Sequence, residues 1–258
     1  MREPRVIVAI ALFSMGCGAS EAPRTLTRSS PTTPCVEGTN EALGEDLRFV
    51  CIAPGVWMFT ALASADFVYP HYPANGLLIE AGDHAVMVDT AWNDTQARAI
   101  ATWSALPVRA ALATHSHTDR TGGARALIAM GIPVYATEET IALAESQHEA
   151  VPDHVLQADS LPELQWLAPG PAHAPDNIVV WHEPTRTLYG GCMIKEASAE
   201  ALGNVADADL VHWPVALESI ASWAAHPSRV VPGHGEVGGI ELLAHTRALV
   251  TAAQREAH

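Results

Sequence analysis

Short apolar segments separated by turn residues predict that the folded part of the chain begins with β-strands. Pro54-Gly55 and Gly82-Asp83 each separate two such segments, which is the pattern of a β-hairpin. The predicted strands are residues 47–52 and 56–62 in the first hairpin, and 76–80 and 85–89 in the second. Residues 63–75, between the hairpins, place bulky apolar side chains among prolines. This loop either packs down on the protein or covers a ligand.

Beyond residue 90, apolar strands alternate with helical segments. Asn93 can cap a helix that runs to about residue 104, and Thr137 can cap another that runs to about residue 149. Further helices are predicted at 124–130, 214–225 and 240–256, and further strands at 108–113, 132–136, 155–158, 161–167, 177–183, 187–189 and 229–231. In each half of the chain, an apolar strand is followed by a turn that contains histidine. We therefore predict an α/β fold, a four-layer αββα sandwich. Two mixed sheets pack face to face, with helices on both outer faces and the functional site on one edge.

The first residues have the pattern of an export signal. Arg2 and Arg5 precede the apolar residues 6–13, and small residues follow at 14–19. Gly16-Cys17 also fits a lipoprotein cleavage site that would leave Cys17 as an acylated N-terminus and lipid anchor. Ser14, however, stands where such signals usually carry an aliphatic residue, so both alternatives stay open. Either implies export, and we expect the protein in the periplasm.

Residues 20–45 are rich in Ser, Thr and Pro and are predicted to be a linker, so the folded domain is expected at 46–258. Cys35 at the end of this linker and Cys51 in the first predicted strand could form a disulfide or remain two free thiols.

Composition and charge narrow the class of protein. Of the 258 residues, 48% are hydrophobic and 17% charged, which is typical of a globular protein with a substantial core. The net charge of -15 argues against nucleic acid and anionic membrane surfaces as partners, because both require a cationic surface. Thirteen histidines against four cysteines favour imidazole-based metal chemistry over a disulfide scaffold.

The most informative polar segment is residues 114–123, directly after the apolar segment 108–113. His115 and His117 are two positions apart, so extended backbone would direct both imidazoles to the same side, and Asp119 continues that parity. Gly122-Gly123 lets the chain turn tightly into the following helix. Polar residues at a strand end are common, but three ligand-type residues within five positions favour half of a metal site.

Three more ligand-type residues follow other predicted strands. They are His173 in a Pro- and Gly-rich turn, Cys192 after Gly190-Gly191, and His234 between two glycines. Each signal is weak alone, since a Cys after a strand is more often a small buried hydrophobe. Together with the first three they make six ligand-type groups. That number suits two tetrahedral zinc ions, one with three imidazoles and one with Asp, Cys and His.

This set of residues resembles the metallo-β-lactamase superfamily and, more narrowly, the first subclass of class B β-lactamases. The resemblance covers nearly all of residues 46–258. It extends to residues 190–195, 202–209 and 232–235, and the segment around Asn204 with Trp213-Pro214 is similar to the Verona-type carbapenemases. Other hydrolases of the superfamily, such as glyoxalase II and the long-form tRNA-processing nucleases, usually carry His where Arg120 stands and a bridging Asp where Cys192 stands. Both differences favour a lactamase.

The resemblance implies two zinc ions per chain. The first ion would be bound by His115, His117 and His173. The second ion would be bound by Asp119, Cys192 and His234. A hydroxide held between the ions would attack the β-lactam carbonyl of penicillins, cephalosporins and carbapenems, which would confer resistance to these antibiotics. The resemblance implies three catalytic residues, namely Asp119, Lys195 and Asn204. No protein partner is required, and a monomer is expected.

The resemblance also implies substrate contacts. Lys195 would pair with the substrate carboxylate and Asn204 would lie near its carbonyl oxygen, although a solvated lysine and a loop cap are the respective alternatives. The loop 63–75 resembles a mobile flap, so Phe67 and Tyr69 would contact substrate, with Trp92 flanking the groove. Asp89 and Arg120 would hold the ligands in position.

At two places the sequence differs from the family pattern, and these differences limit which family properties can be expected of this chain. Ala174 stands where Thr usually follows the third histidine, so we expect weaker metal binding; Ala172 also replaces a common Gly. An apparent insertion near His71 prevents the transfer of a substrate preference. The alternative function is another hydrolase of the same fold, a lactonase or a thioesterase. A binding protein with a degenerate site is disfavoured by the intact ligand set.

Overall fold

The computed structural model describes residues 35–256, which form twelve β-strands and six α-helices. The predicted export signal, the acylation site at Cys17 and most of the predicted linker lie outside this range. Within it, no helix is long and apolar enough to cross a membrane.

Eight strands form the larger sheet in sequence order. They are β1 (Asn40–Leu43), β2 (Leu47–Ala53), β3 (Val56–Leu62), β4 (Pro73–Ala81), β5 (His84–Val88), β6 (Val108–Leu112), β7 (Val134–Ala136) and β8 (His154–Val155). Pairing is antiparallel from β1 to β5 and parallel from β5 to β8. Parallel pairs need crossover connections. These are the helices α1 (Asp94–Trp103), α2 (Thr118–Thr121), α3 (Ala124–Ala129) and α4 (Glu138–Ser146).

The smaller sheet has four strands in the order β12-β11-β10-β9. Its strands are β9 (Gln165–Leu167), β10 (Val179–His182), β11 (Thr187–Gly191) and β12 (Arg229–Pro232). A single 3-10 turn, Glu183–Thr185, joins β10 to β11. The parallel pair β11–β12 is connected through α5 (Trp213–Trp223), and α6 (Glu241–Glu256) ends the described chain.

Alternation of side chains along the strands builds the layers. On β5, Val86 and Val88 face the smaller sheet, whereas Ala85 and Met87 belong to the core under α1 and α3. The smaller sheet alternates in the same way, with Val231 between the sheets and Val230 under α5 and α6. Three separate apolar cores therefore lie between four layers. This confirms the predicted αββα sandwich of two mixed sheets.

Aromatic residues close the outer cores. The ring of Trp103 at the end of α1 stacks on Phe49 with centroids 3.7 Å apart and meets Trp57 edge-on at 5.1 Å. On the opposite face, Trp213 at the start of α5 is fully buried, and its indole N–H donates to the carbonyl of Met193. This bond fixes the start of α5 against the loop that follows β11.

The structure corrects the sequence predictions at several boundaries. Strand β1 lies inside residues 20–45, predicted to be linker; its alternately exposed residues make it an edge strand with little apolar signal. The strand predicted at 161–167 is shorter, because residues 161–164 form a turn. The short helix α2 was not predicted. Cys35 and Cys51 form a disulfide, the pairing that the sequence left open.

A histidine links the β4–β5 turn to the segment before β9. His84 Nε2 lies 2.8 Å from a Glu163 carboxylate oxygen, and its Nδ1 lies 3.2 Å from Asp83. The bond to Glu163, followed by that to Asp83, raises the pKa of His84 above its ordinary value. A raised pKa stabilises the folded protein below the unfolded pKa, and this contribution is lost as the pH rises through the folded pKa.

We therefore expect the Glu163→Gln variant to lose more stability at about pH 6 than at about pH 8.5. The measurement is urea unfolding of the variant and the parent at both pH values. Glu200→Gln, which removes an exposed carboxylate elsewhere, should show no such pH dependence. An equal loss at both pH values would exclude a role for the His84 charge.

Candidate metal centre

The ligand-type residues meet where strands of both sheets end. His115 and His117 follow β6, His173 lies between β9 and β10, Cys192 directly follows β11, and His234 follows β12. Backbone bonds join these ends: Ile178 N–H donates to Thr114 O at 2.9 Å, and Gly233 N–H donates to Gly191 O at 2.7 Å. One edge of the sandwich thus collects all the predicted ligands, including Asp119 in α2.

Gly122 and Gly123 allow this convergence for a different reason from the one predicted. Their φ angles of -55° and -96° are open to any residue, so the backbone does not require glycine for its dihedral angles. Instead, a Cβ on Gly122 would lie 2.3 Å from the carbonyl oxygen of Trp92, and one on Gly123 would lie 2.3 Å from that of Thr90. The glycines let the ligand loop lie directly on the segment after β5.

Three imidazoles form one set of donors. Nδ1 of His117 lies 3.2 Å from Nε2 of His115 and 3.2 Å from Nε2 of His173. Burial, followed by the neighbouring charges of this cluster, holds the pKa values of His115 and His173 well below the ordinary value. Both rings are therefore neutral at physiological pH and have nitrogen lone pairs free for a cation.

Asp119, Cys192 and His234 form the second set. Sγ of Cys192 lies 3.2 Å from Nε2 of His234 and 3.4 Å from Oδ2 of Asp119, and the latter two atoms are 3.3 Å apart. Burial opposes the charged form of His234, but the charge of Cys192 and the bond to Asp119 outweigh it and raise the pKa to about 9. A cation entering this set must displace that proton, so its binding weakens as the pH falls.

The two sets adjoin. Donor atoms of His115, His117 and Asp119 lie within 4.8 Å of one another, as do those of His115, His173 and Cys192. Three imidazole nitrogens beside a set of sulfur, carboxylate and imidazole donors are the donor types that zinc prefers at four-coordinate sites. The residues present therefore fit zinc.

Arg120 supports both the ligands and the sheets. Its fully buried guanidinium donates to Asp119 Oδ2 at 2.6 Å, Cys192 Sγ at 3.0 Å and Asp89 Oδ2 at 3.1 Å. It also donates to the carbonyls of Asn75 and Gly233. The pKa of Asp119 is held well below its ordinary value because Arg120 and His234 outweigh the opposing effect of burial.

Asp89 fixes the start of the histidine loop. Its carboxylate accepts from Thr114 N–H at 2.8 Å and Thr114 Oγ1 at 3.1 Å, and from the hydroxyl of Tyr189 at 2.6 Å. The residue has a φ of 63°, in the left-handed region that non-glycine residues rarely adopt. This backbone strain is held by the bonds on the carboxylate.

The outer nitrogens of the histidines differ in their partners. His117 Nε2 lies 3.0 Å from Oδ2 of Asp207, and His234 Nδ1 donates to the carbonyl oxygen of Pro73 at 2.5 Å. Nδ1 of His173 is buried and has no hydrogen-bond partner in the part of the chain that the structure describes. Asp207 was missed by the sequence analysis, although it lies in the segment 202–209 that carried the resemblance.

A pocket of about 630 Å³ opens over both sets of donors. Its wall includes the predicted contacts Phe67, Tyr69, Trp92, Lys195 and Asn204. The sequence analysis gave no role to three further wall residues, Tyr72, Gln147 and Glu149.

The flap aromatics lie in two groups. The ring of Phe67 packs on Trp92 with centroids 4.8 Å apart. Tyr72 covers the imidazole of His234, also at 4.8 Å between centroids, and Tyr69 is largely exposed. The flap therefore contacts both the groove wall and one of the ligands.

Lys195 and Asn204 differ in how firmly they are held. Nζ of Lys195 lies 5.6 Å from the centre of the Trp213 ring, and burial lowers the pKa of the amine. Lys195 is also the sole lysine of the chain, a signal that the sequence analysis overlooked. Asn204 is exposed, and its side-chain oxygen accepts from Ala206 N–H, which is the loop-cap contact considered as its alternative.

A four-layer αββα sandwich with two adjoining sets of zinc-type donors on one edge defines a metal-dependent hydrolase. The metallo-beta-lactamase superfamily model matches residues 69–234, and the chain belongs to that family.

Individual relatives agree with this assignment. Metallo-beta-lactamase type 2 of Bacteroides fragilis is 34% identical over 218 residues, which cover 81% of this chain and 87% of that protein. The protein of the same description from Bacillus cereus is 35% identical over 204 residues, covering 76% and 79%. The crystal structure of FIM-1 from Pseudomonas aeruginosa in its mono-zinc form is 36% identical with a TM-score of 0.77, covering 81% of this chain and 96% of that one.

The unpartnered nitrogen of His173 generates a prediction about Ala174. A threonine hydroxyl at position 174 would give the ring a partner that fixes its orientation, so we expect Ala174→Thr to bind zinc up to about tenfold more tightly. Ala174→Val has nearly the same shape without the hydroxyl and should bring no gain. Competition with a chromophoric chelator measures both affinities. Equal affinities of the two variants would show that the hydroxyl has no part in metal binding.

Proposed function

We propose that this chain is a periplasmic di-zinc β-lactamase that opens the amide of penicillins, cephalosporins and carbapenems, and so confers resistance to them. The observation that carries the proposal is the position of both sets of zinc-type donors in one pocket with the only lysine of the chain. Export follows from the N-terminal signal, with Cys17 either removed or acylated. We also expect a monomer.

The side chains of this site divide the work on a β-lactam. His115, His117 and His173 would hold one zinc ion, and Asp119, Cys192 and His234 the other. When bound, zinc ions polarise a carbonyl, lower the pKa of a coordinated water and stabilise negative charge that develops on a leaving group.

Lys195 supplies a cation for the carboxylate that β-lactams carry next to the ring nitrogen. Its partly buried position beside Trp213 strengthens such a pair relative to one in open solvent. Asn204 stands at the same wall with an amide N–H₂ free to donate to a carbonyl oxygen, since its cap bond uses only the side-chain oxygen. The flap aromatics limit the access of bulk water to the bound substrate.

The purified protein should therefore contain about two zinc ions per chain and open a chromogenic cephalosporin. A chelator should abolish this activity and added zinc should restore it. The measurements are elemental analysis and the change in absorbance on ring opening. Cleavage of lactones or thioesters without cleavage of any β-lactam would favour the alternative hydrolase. A protein that neither holds zinc nor cleaves any of these substrates would be a degenerate binding module.

Lys195 provides a second test. Lys195→Ala should raise KM for a penicillin about tenfold with little change in kcat, because the pair with the substrate carboxylate forms before ring opening. Lys195→Arg keeps the charge and should lie between the parent and the alanine variant. Steady-state kinetics measures both. An unchanged KM in Lys195→Ala would remove this side chain from the site.

A further inference from the structure

A side groove of about 330 Å³ opens beside the metal pocket. The two cavities share Trp92, Thr118 and Glu149 in their walls. Neither Lys195 nor any of Cys192, His173 and His234 lines the side groove. It therefore extends the metal pocket away from the lysine and toward the segment that follows α4.

Glu149 is the charged group at the junction of the two cavities. Its half-buried carboxylate accepts from the hydroxyl of Thr118 at 2.7 Å, which fixes its position. Among residues 35–256, no cationic side chain forms an ion pair with it. A partly desolvated carboxylate without a counter-ion is a favourable position for a ligand cation.

The other charged groups of the groove are differently placed. The exposed Arg125 reaches the backbone carbonyl of Glu149 at 3.5 Å rather than its carboxylate. Asp94 accepts from the backbone N–H of Ala126 at 3.0 Å, and His148 is exposed at the groove wall. Solvent screens exposed charges more strongly than half-buried ones. The half-buried carboxylate of Glu149 therefore decides which ligand charge is favoured at the junction of the two cavities.

The side groove also has an aromatic wall, which is formed by Trp92. The indole N–H of Trp92 is bonded to the carbonyl of Ala61, so a ligand in the groove would contact the ring of Trp92 and not this polar edge. An aryl group with a neighbouring ammonium would therefore find a ring surface at Trp92 and a carboxylate at Glu149.

We propose that the side groove is the subsite for the acyl side chain of β-lactams, and that Glu149 selects side chains bearing a protonated amine. This inference rests on the proposed function. If Lys195 holds the ring carboxylate, the acyl side chain at the other end of the molecule is directed to the wall that lacks the lysine. Glu149 is then a specificity residue that contacts the substituent and not the reacting amide.

Three penicillins form a charge series on one scaffold. Benzylpenicillin, ampicillin and carbenicillin carry hydrogen, an amino group and a carboxylate, respectively, on the same carbon of the acyl side chain. At about pH 6.5 the amine of ampicillin is largely protonated. The parent enzyme should show the highest kcat/KM for ampicillin and the lowest for carbenicillin, with about three- to fivefold between neighbours, as expected for one half-exposed charge pair.

Substitution of Glu149 should change this order. Glu149→Gln should bring ampicillin to within about twofold of benzylpenicillin, and Glu149→Lys should place carbenicillin above ampicillin. Glu145→Gln removes an exposed carboxylate from α4 that lines neither cavity, so it controls for the change in net charge and should keep the parent order. Thermal melting of each variant establishes that it is folded.

The outcomes separate the two proposals. If the parent opens benzylpenicillin but the order of the three penicillins is the same in Glu149→Gln and Glu149→Lys, the subsite assignment is wrong and the β-lactamase proposal stands. A parent preference for carbenicillin would also overturn it, because Arg125 would then dominate the groove. If the zinc-loaded parent opens none of the three, the proposed function itself fails.

Discussion

The guanidinium of Arg120 is the point on which the rest of the site depends. It lies fully buried and contacts Asn75 at the start of β4, Tyr189 on β11 and Gly233 after β12, while also binding Asp119 and Cys192. One planar cation thus joins both sheets to ligands of the second set. A buried charge is stable only when it is paired and hydrogen-bonded, and removal of one partner costs about 3–5 kcal/mol. The positions of the sheets and of the ligands are therefore interdependent.

The two sets of donors differ in charge, and their surroundings account for it. His115 and His173 lie where burial favours neutral rings, whereas Asp119 and Cys192 face the positive charge of Arg120. A cation in the second set therefore faces the carboxylate of Asp119 directly, and the first set contains no carboxylate. The protein thus places two chemically distinct sets of donors within one edge of the fold.

The wall of the pocket over this edge comes from loops and the short helix α2, and not from the strands. The backbone carbonyl of Pro73, at the start of β4, accepts from the ligand His234, and the ring of Tyr72 covers the same imidazole. The flap is therefore anchored to His234 at its base while its tip, with Val68 and Tyr69, is exposed. On the opposite wall Glu149 is fixed by Thr118, the residue next to Asp119. Changes in these loops can thus alter the shape of the pocket without moving the two sets of donors.

The sequence by itself determined the layers and the six ligand-type residues, because these have local signals. Apolar segments such as residues 85–88 and the spacing of His115, His117 and Asp119 can be recognised in a few consecutive residues. Only the tertiary structure decided which distant groups meet: the disulfide of Cys35 with Cys51, the bond of Asp207 to His117, and the bond of Thr118 to the Glu149 carboxylate. These contacts join residues 16 to 90 positions apart, and no local pattern encodes them, since each depends on how two loops pack at the edge of the sandwich. The edge strand β1 escaped prediction for a related reason: its stability comes from pairing with β2, not from an apolar sequence of its own.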